Sequence, residues 1–434
     1  MNNNLKRAAL CFFASSALLA CKNNYDIVSY SPANNTLKGG TVYEINVDED
    51  KNKFIYGLAS DFEGSEMTGI SMFLAKYSAD DVFLWDIKET NFANLAVTLF
   101  MDRSADNVLS VDAENRVFYS RYSNDDVVTS LISSDGDVIW EKSESQHYSV
   151  HNSVAIAKNG LYLWKRSDAR YYEVTAYSEA GDELWHYSSQ LGPFLDEVTE
   201  MLTDGDSTLV KDPLNVSKID KNGELLASIS AGELGVSHLH DMSTNNGKLA
   251  LLGESNKEFF VILLDSELKV VWKASVGTHA QRVADGLLSL GEDDVVCYSM
   301  SPPHQLSEQT LKLGAVKDGS SLWSITDANY ADMAIQDLVH IERVDGQCHA
   351  RVNQFKDDVA VKNSTYKMIA IGDSGQHTIV HEQNKFQAFA STTIKSEIFA
   401  AGSYYKKSQY VWDTGIAAYF KALLVPDASL GSED

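Results

Sequence analysis

The 434-residue chain is short of positive charge: 36 Lys and Arg stand against 61 Asp and Glu, a formal net charge of −25 with histidine neutral. A surface with that deficit repels phosphate backbones and anionic lipid at low salt, so nucleic acid is excluded as an expected partner. Long apolar runs are missing too. The N-terminal one, Ala8 to Ala20, is too short to cross a hydrocarbon core of about 30 Å as a helix. No GxSxG, HExxH, P-loop or dinucleotide fingerprint occurs, so none of the chemistries those motifs carry has support here. Cysteine is scarce: Cys11, Cys21, Cys297 and Cys348 are the whole set. No cofactor and no metal site is expected.

What is there begins with an address. Lys6 and Arg7 precede the apolar run, which ends Leu18-Leu19-Ala20-Cys21. A short basic region, an apolar stretch and a small residue make a secretory leader, and with the cysteine the segment resembles the lipobox of bacterial lipoproteins. That resemblance implies removal of residues 1–20 as a signal peptide and lipidation of Cys21, including a palmitate-type chain. It also implies a tether over 21–40. Several acyl chains on one residue anchor stably. Lys22, where an inner-membrane lipoprotein of this kind would carry Asp, implies the outer membrane, on its periplasmic side, with membrane contact through the lipid alone.

The remaining residues are more than one conventional core can use, which demands several domains or a repeat. A repeat is found. Trp85 in "SADDVFLW", Trp140 in "SDGDVIW", Trp185 in "SEAGDELW", Trp272 in "DSELKVVW" and Trp323 in "KDGSSLW" each follow a turn sequence, and two weaker copies place Ala227 and Ile379 there. The intervals run from 42 to 56 residues, the period of a propeller or solenoid. Within each unit short apolar runs rich in β-branched and aromatic residues alternate with polar turns, as in Lys248 to Ser275. That pattern predicts four strands per unit. Eight units can be counted, with second strands near Phe54, Val117, Leu161, Thr208, Leu249, Val295, Gln347 and Ile398.

The expected fold is therefore all-β: an eight-bladed β-propeller of four-stranded antiparallel blades spanning 41–434 with a short polar tail, seven blades being the alternative. The last unit lacks a fourth strand, and "YDIVSYS", Tyr25 to Ser31, has no place in the first. This N-terminal strand is expected to complete the eighth blade and hide two edges. The ring is expected to be monomeric. Trp85, Trp140, Trp185, Trp272 and Trp323 are expected between blades as core, where a large apolar area is best used. Cys297 and Cys348 sit at similar places in successive repeats, too far apart by that reading for a bridge, and are expected as buried free thiols. A disulfide in an oxidising compartment is the alternative.

The unit, with Gly136, Gly181 or Gly319 four residues before a Trp, resembles the repeat of the pyrroloquinoline-quinone-like propeller superfamily from roughly Thr41 to Val425. It is also similar to related bacterial repeats, to which "FIYGLASDFEGSEMTGISMFLAKYSADDVFLW" comes close. Quinoprotein dehydrogenases add a vicinal cysteine pair, acidic calcium ligands and an Ala and an Asp in each docking motif. Here no cysteines adjoin, and Thr175 and Tyr177 occupy the docking places. The resemblance thus implies the non-catalytic class, similar to the propeller lipoprotein of the outer-membrane β-barrel assembly machine.

Three sets of residues are candidates for function. The loops between second and third strands are long in units six, seven, eight and one ("SPPHQLSEQT", "NQFKDDVAVKNST", "SYYKKSQYVWDT", "SDFEGSEMTG"), so insertions cluster on one sector. Among them Tyr404, Tyr405, Lys406, Lys407, Tyr410 and Trp412 have the composition of a protein or glycan contact. Histidines form the second set: His147, His151, His238, His240 and His279 fall where the chain enters the innermost strands. "SHLHD" places His238 and His240 on one side of an extended segment, as a metal or anion site uses. The segment resembles the His-Asp repeat of arylsulfotransferases, with Arg282 nearby, which offers a His-dependent transferase or metal-assisted enzyme as the alternative function. The third candidate is Asn91 to Asn107, an apolar connection that reads as a plug helix or partner anchor. "VDEDKNKF" has Asp48, Asp50 and Asn52 at calcium-loop spacing but lacks the glycine and the closing acid, and reads as a hairpin turn. The expected function is a protein-binding scaffold for another envelope protein, with surface glycan binding as a further alternative.

Overall fold

A computed structural model describes residues 27–30, 41–63, 66–80, 82–90, 108–123, 126–145, 151–167, 171–190, 200–278, 285–301, 312–326, 335–355, 364–384, 386–394, 397–407 and 412–423. Every regular element there is a β-strand. Seven sheets are made of four strands consecutive in the chain: sheet one over 41–90, two over 109–145, three over 151–190, four over 200–230, five over 238–278, six over 285–326 and seven over 335–384. Among the described residues, seven units of four successive strands are therefore present, where eight are expected. A further four-stranded sheet is composite, ordering Ile27–Tyr30, Trp412–Leu423, Glu397–Lys407 and Phe386–Ile394. Ile27 pairs there with Ala422 and Tyr30 with Tyr419.

Strand position decides composition. In sheet five the third strand, Glu258–Leu264, is buried at Phe259, Val261, Ile262, Leu263 and Leu264. Both of its faces are covered by neighbouring sheets, so the apolar run need not alternate. The fourth strand of sheet three, Glu183–Gln190, alternates exposed with half-buried positions, because it is outermost and covered on one face only. First strands touch the first strands of neighbouring sheets, and Phe386–Ile394 contacts both Ile335–Val344 and Thr41–Val47. The first strands are thus innermost.

Between sheets lie separate apolar clusters. The seam of sheets two and three holds Phe118, Leu131, Trp140, Tyr162, Trp164 and Tyr177; that of five and six holds Leu252, Phe259, Val261, Val296, Tyr298 and Met300. The tryptophans seal these seams. A Cβ placed on Gly181 would meet Trp140 Cγ at 2.7 Å, and one on Gly223 would meet Trp185 at 2.9 Å, so each indole lies flat on the next sheet's turn. Only glycine permits that approach, and at φ +82° Gly181 is also in the left-handed region. The indole Nε1 then donates into the same turn: Trp85 to Ser134 O at 3.0 Å, Trp140 to Glu179 O at 3.1 Å, Trp185 to Lys221 O at 2.8 Å. Burying one such side chain contributes on the order of 4–6 kcal/mol before entropy. In sheet seven the expected occupant Ile379 is exposed and Val380 is buried instead, because the register slip that falls just before the tryptophan in other sheets comes after Ile379 here.

Cys297 and Cys348 form a disulfide with Cα atoms 5.9 Å apart, which corrects the expectation of free thiols. Both lie on second strands, Val296–Ser301 and Gln347–Phe355, in one inter-sheet cluster with Ala315, Ala350 and Val352. Sheets that splay outward from an axis converge towards it. Positions one repeat apart come within bridging distance there, although face-to-face packing averages about 10 Å.

Candidate functional site

The free edge of each innermost strand faces the centre, where unpaired backbone N–H groups need acceptors. Side chains of the preceding sheet supply them. Glu44 Oε2 accepts from Val108 N at 2.9 Å, Glu200 Oε2 from Met242 N at 3.1 Å, Ser243 Oγ from Leu290 N at 3.0 Å and Ser289 Oγ from Arg343 N at 2.9 Å. Asp241 Oδ2 accepts from Leu288 N. Two of these acceptors directly follow an irregularity. The register shifts between Val42 and Glu44, and between Leu239 and Asp241. An extra residue in a strand re-aims the side chain after it, here sideways onto the next sheet.

At sheets three to five this girdle becomes densely charged. The charge of Glu200 acts on Asp241, and the charges of Lys211 and Lys165 act on Glu200. Lys211 is buried and donates from Nζ to His240 O at 2.8 Å. Both acids are half-buried. Loss of bulk hydration, followed for Asp241 by the neighbouring Glu200 charge, lifts Asp241 well above the usual carboxylate range; removal from water also lifts Glu200, against the pull of Lys211.

His238 and His240 lie on the innermost strand His238–Asn245 of sheet five with ring centroids 4.6 Å apart. His240 Nε2 meets Glu254 Oε2 at 3.0 Å, and its ring packs 5.3 Å from Phe259. The two histidines are brought together as their spacing anticipates, but with Glu254 as the neighbour of one. Among the described residues no three His, Cys, Asp or Glu are grouped to hold a metal ion. His279 and Arg282 lie outside the described residues, as do His147, Cys21 and the 91–107 connection. Asp48 closes a hairpin turn: its Oδ1 accepts from Asn52 N at 2.7 Å and its Oδ2 from Asn52 Nδ2 at 2.8 Å.

In the long second-to-third connections of units one and eight, the described residues on either side of 64–65 and of 408–411 are strand. Lys53–Glu63 and Glu66–Tyr77 pair out to Glu63 with Glu66, and Glu397–Lys407 pairs with Trp412–Leu423 out to Lys407 with Trp412. Aromatic and β-branched residues in these segments favour continued pairing over loop. Tyr404 stands opposite Ile416 and Lys406 opposite Asp413, with Tyr405 at an irregularity between them. Tyr410 lies outside the described residues, as do 302–311 and 356–363. Sequence reasoning missed Glu200, Asp241 and Lys211. Their signal is polar residues in strands that the repeat makes central, which periodicity alone cannot rank.

No family model and no curated protein matches the chain. Among solved structures it is similar to the Dos1 propeller at 8% identity, over 91% of this chain and 94% of that one, with a TM-score of 0.51. It is also similar to YCF48 from Cyanidioschyzon merolae, at 9% identity over 90% and 98% of the two chains with a TM-score of 0.40. The Neurospora crassa Pan2 WD40 domain matches at 9% identity over 93% and 96%, with a TM-score of 0.42. At such identity the Dos1 likeness speaks to fold alone, and with the sheets above it makes the chain a β-propeller.

Proposed function

We propose that the chain is a protein-binding scaffold, an eight-bladed ring tethered through Cys21 to the periplasmic side of a bacterial outer membrane. The composite sheet is its eighth blade, closed by Ile27–Tyr30. Its innermost strand touches those of sheets one and seven, which supports a closed circuit. The indole-on-glycine seams support descent from the quinone-type repeat without its chemistry. The observation that carries the binding role is a pair of hairpins. Those of sheet one and of the composite sheet have strands of 11 and 12 residues, against five to nine in the second and third strands of the other sheets. The two sheets adjoin, so both hairpins project from one sector.

A rigid ring bears the entropy cost of folding, and hairpins fixed on it lose little further freedom when a partner docks. Tyr404, Tyr405 and Trp412 supply aromatic anchors beside Lys406 and Lys407. The test is cross-linking in whole envelopes, comparing the native protein with a Tyr405→Ala, Trp412→Ala double variant of unchanged melting temperature. One dominant outer-membrane protein, lost in the variant, is expected; equal capture by both overturns the role of this sector. Fractionation of Cys21→Ser tests the tether, and retention in the membrane fraction would remove it.

A further inference from the structure

We propose that the outer rim of sheets one to three is a second docking surface, for a segment of a partner protein that carries basic and aliphatic side chains. In each of these sheets the third and fourth strands slip register by one residue just before the tryptophan. The residue left over is Leu84, Ile139 or Leu184. A bulge aims its extra residue away from the ladder, and these three, with Val82 and Val138, are 44–58% exposed. They lie outside the seam clusters that the neighbouring indoles seal. The exposures form one band, because Trp85 reaches the turn at Ser134 and Trp140 the turn at Glu179. A single exposed leucine is ordinary, whereas a band of them along outer strands marks an interaction site.

Charge names the occupant. The third-to-fourth turns and fourth strands of these sheets, 78–90, 133–145 and 178–190, hold eleven Asp and Glu against two Lys. The same segments of sheets four to six, 220–230, 265–278 and 317–326, hold five against four. The exposed aliphatic bulge recurs there at Leu226, Val271 and Leu322. The architecture thus supplies the apolar part, and charge sets the two halves of the rim apart. Arg121 engages Glu141 and Arg116 engages Glu179, whereas Asp80, Asp86, Asp135, Asp137, Asp182 and Glu183 stand exposed. A second copy of the chain brings the same charge and is repelled, as is anionic lipid. A basic segment with aliphatic side chains matches both features. In a meander of antiparallel strands the third-to-fourth turn lies at the opposite end from the second-to-third. This surface is therefore separate from the projecting hairpins and needs neither them nor the tether.

The test is titration of the intact protein with a synthetic decapeptide of alternating lysine and valine, read by fluorescence anisotropy. Binding that weakens as salt rises is expected. The triple variant Leu84→Ser, Ile139→Ser, Leu184→Ser and the charge variant Asp86→Asn, Asp135→Asn, Glu183→Gln should each bind about tenfold more weakly or worse. Their melting temperatures should be unchanged, because every altered side chain is exposed. The control, Leu226→Ser, Val271→Ser, Leu322→Ser, should bind as the native protein does. Absence of binding by the native protein overturns the proposal. So does equal binding by all variants, the mark of attraction to net charge alone, or equal loss in the two aliphatic variants. Dimerisation of the native protein, or its flotation with zwitterionic vesicles, abolished by the first variant, would give the surface to a second copy or to lipid and overturn the partner named here. If the first variant loses its fold, the charge variant decides.

Discussion

Two seams of the propeller solve one packing problem in opposite ways. Between sheets two and three, Trp140 is buried against Gly181, with Phe118 and Tyr177 around the indole at centroid distances of 5.7 and 5.4 Å. Between sheets four and five the corresponding residues are Ala227 and Leu268, and both belong to that seam's apolar cluster. The large side chain has moved from the fourth strand to the opposing turn. Leu268 holds φ +60°, a conformation costly for a side chain with a Cβ, and its burial offsets the strain. The seams teach that combined volume across the gap, not the identity of either residue, is what the architecture requires.

The comparison breaks most severely at the glycine. Gly181→Leu forces a side chain into the indole from a left-handed backbone position. A loss above about 4 kcal/mol is expected, seen as failure to fold or a collapse in melting temperature. Trp140→Ala empties the same seam and is expected to cost about 3–5 kcal/mol by denaturant unfolding. Combining the two recreates the other seam's arrangement. The double variant should be more stable than the sum of the singles by about 0.5–3 kcal/mol, and strict additivity would refute the volume argument. At the seam of sheets six and seven, Cys297→Ala with Cys348→Ala should cost about 2–5 kcal/mol, with reductant lowering the melting temperature of the native protein but not of the variant. Leu268→Gly loses apolar burial and relieves strain, so a smaller net loss of about 1–3 kcal/mol is expected.

The smallest effect concerns a polar part of sheet seven. His349 and Arg351 are buried, and Arg351 pairs with Glu342 Oε2 at 2.7 Å. Burial, then the charges of Arg351 and Arg343, hold His349 down at about 4. The unfolded chain takes up a proton near 6.5, before the folded one does. Stability is therefore full above that pH and lost as pH falls from about 6.5 towards 4, by about 1–3 kcal/mol. His349→Gln should flatten the acid limb of a melting-temperature profile.

Much of this was legible from residue order. Turn glycines and recurrent tryptophans located the strands because both act locally: glycine supplies φ > 0, and the indole marks a strand that must bury a large apolar face. The hairpins of sheet one and the composite sheet were read as loops because polar residues interrupt their alternation, although cross-strand pairing continues through them. The carboxyl pair was invisible, since Glu200 and Asp241 are brought together only by the packing of two sheets.

The sequence alone determined the class of unit, its period and the turn chemistry, since these depend on neighbours within a few residues. Tertiary structure decided which cysteines pair, which side chains cap the innermost strands and which residue fills each seam. Those depend on distances between sheets that converge on one axis, and chain order carries no measure of that convergence.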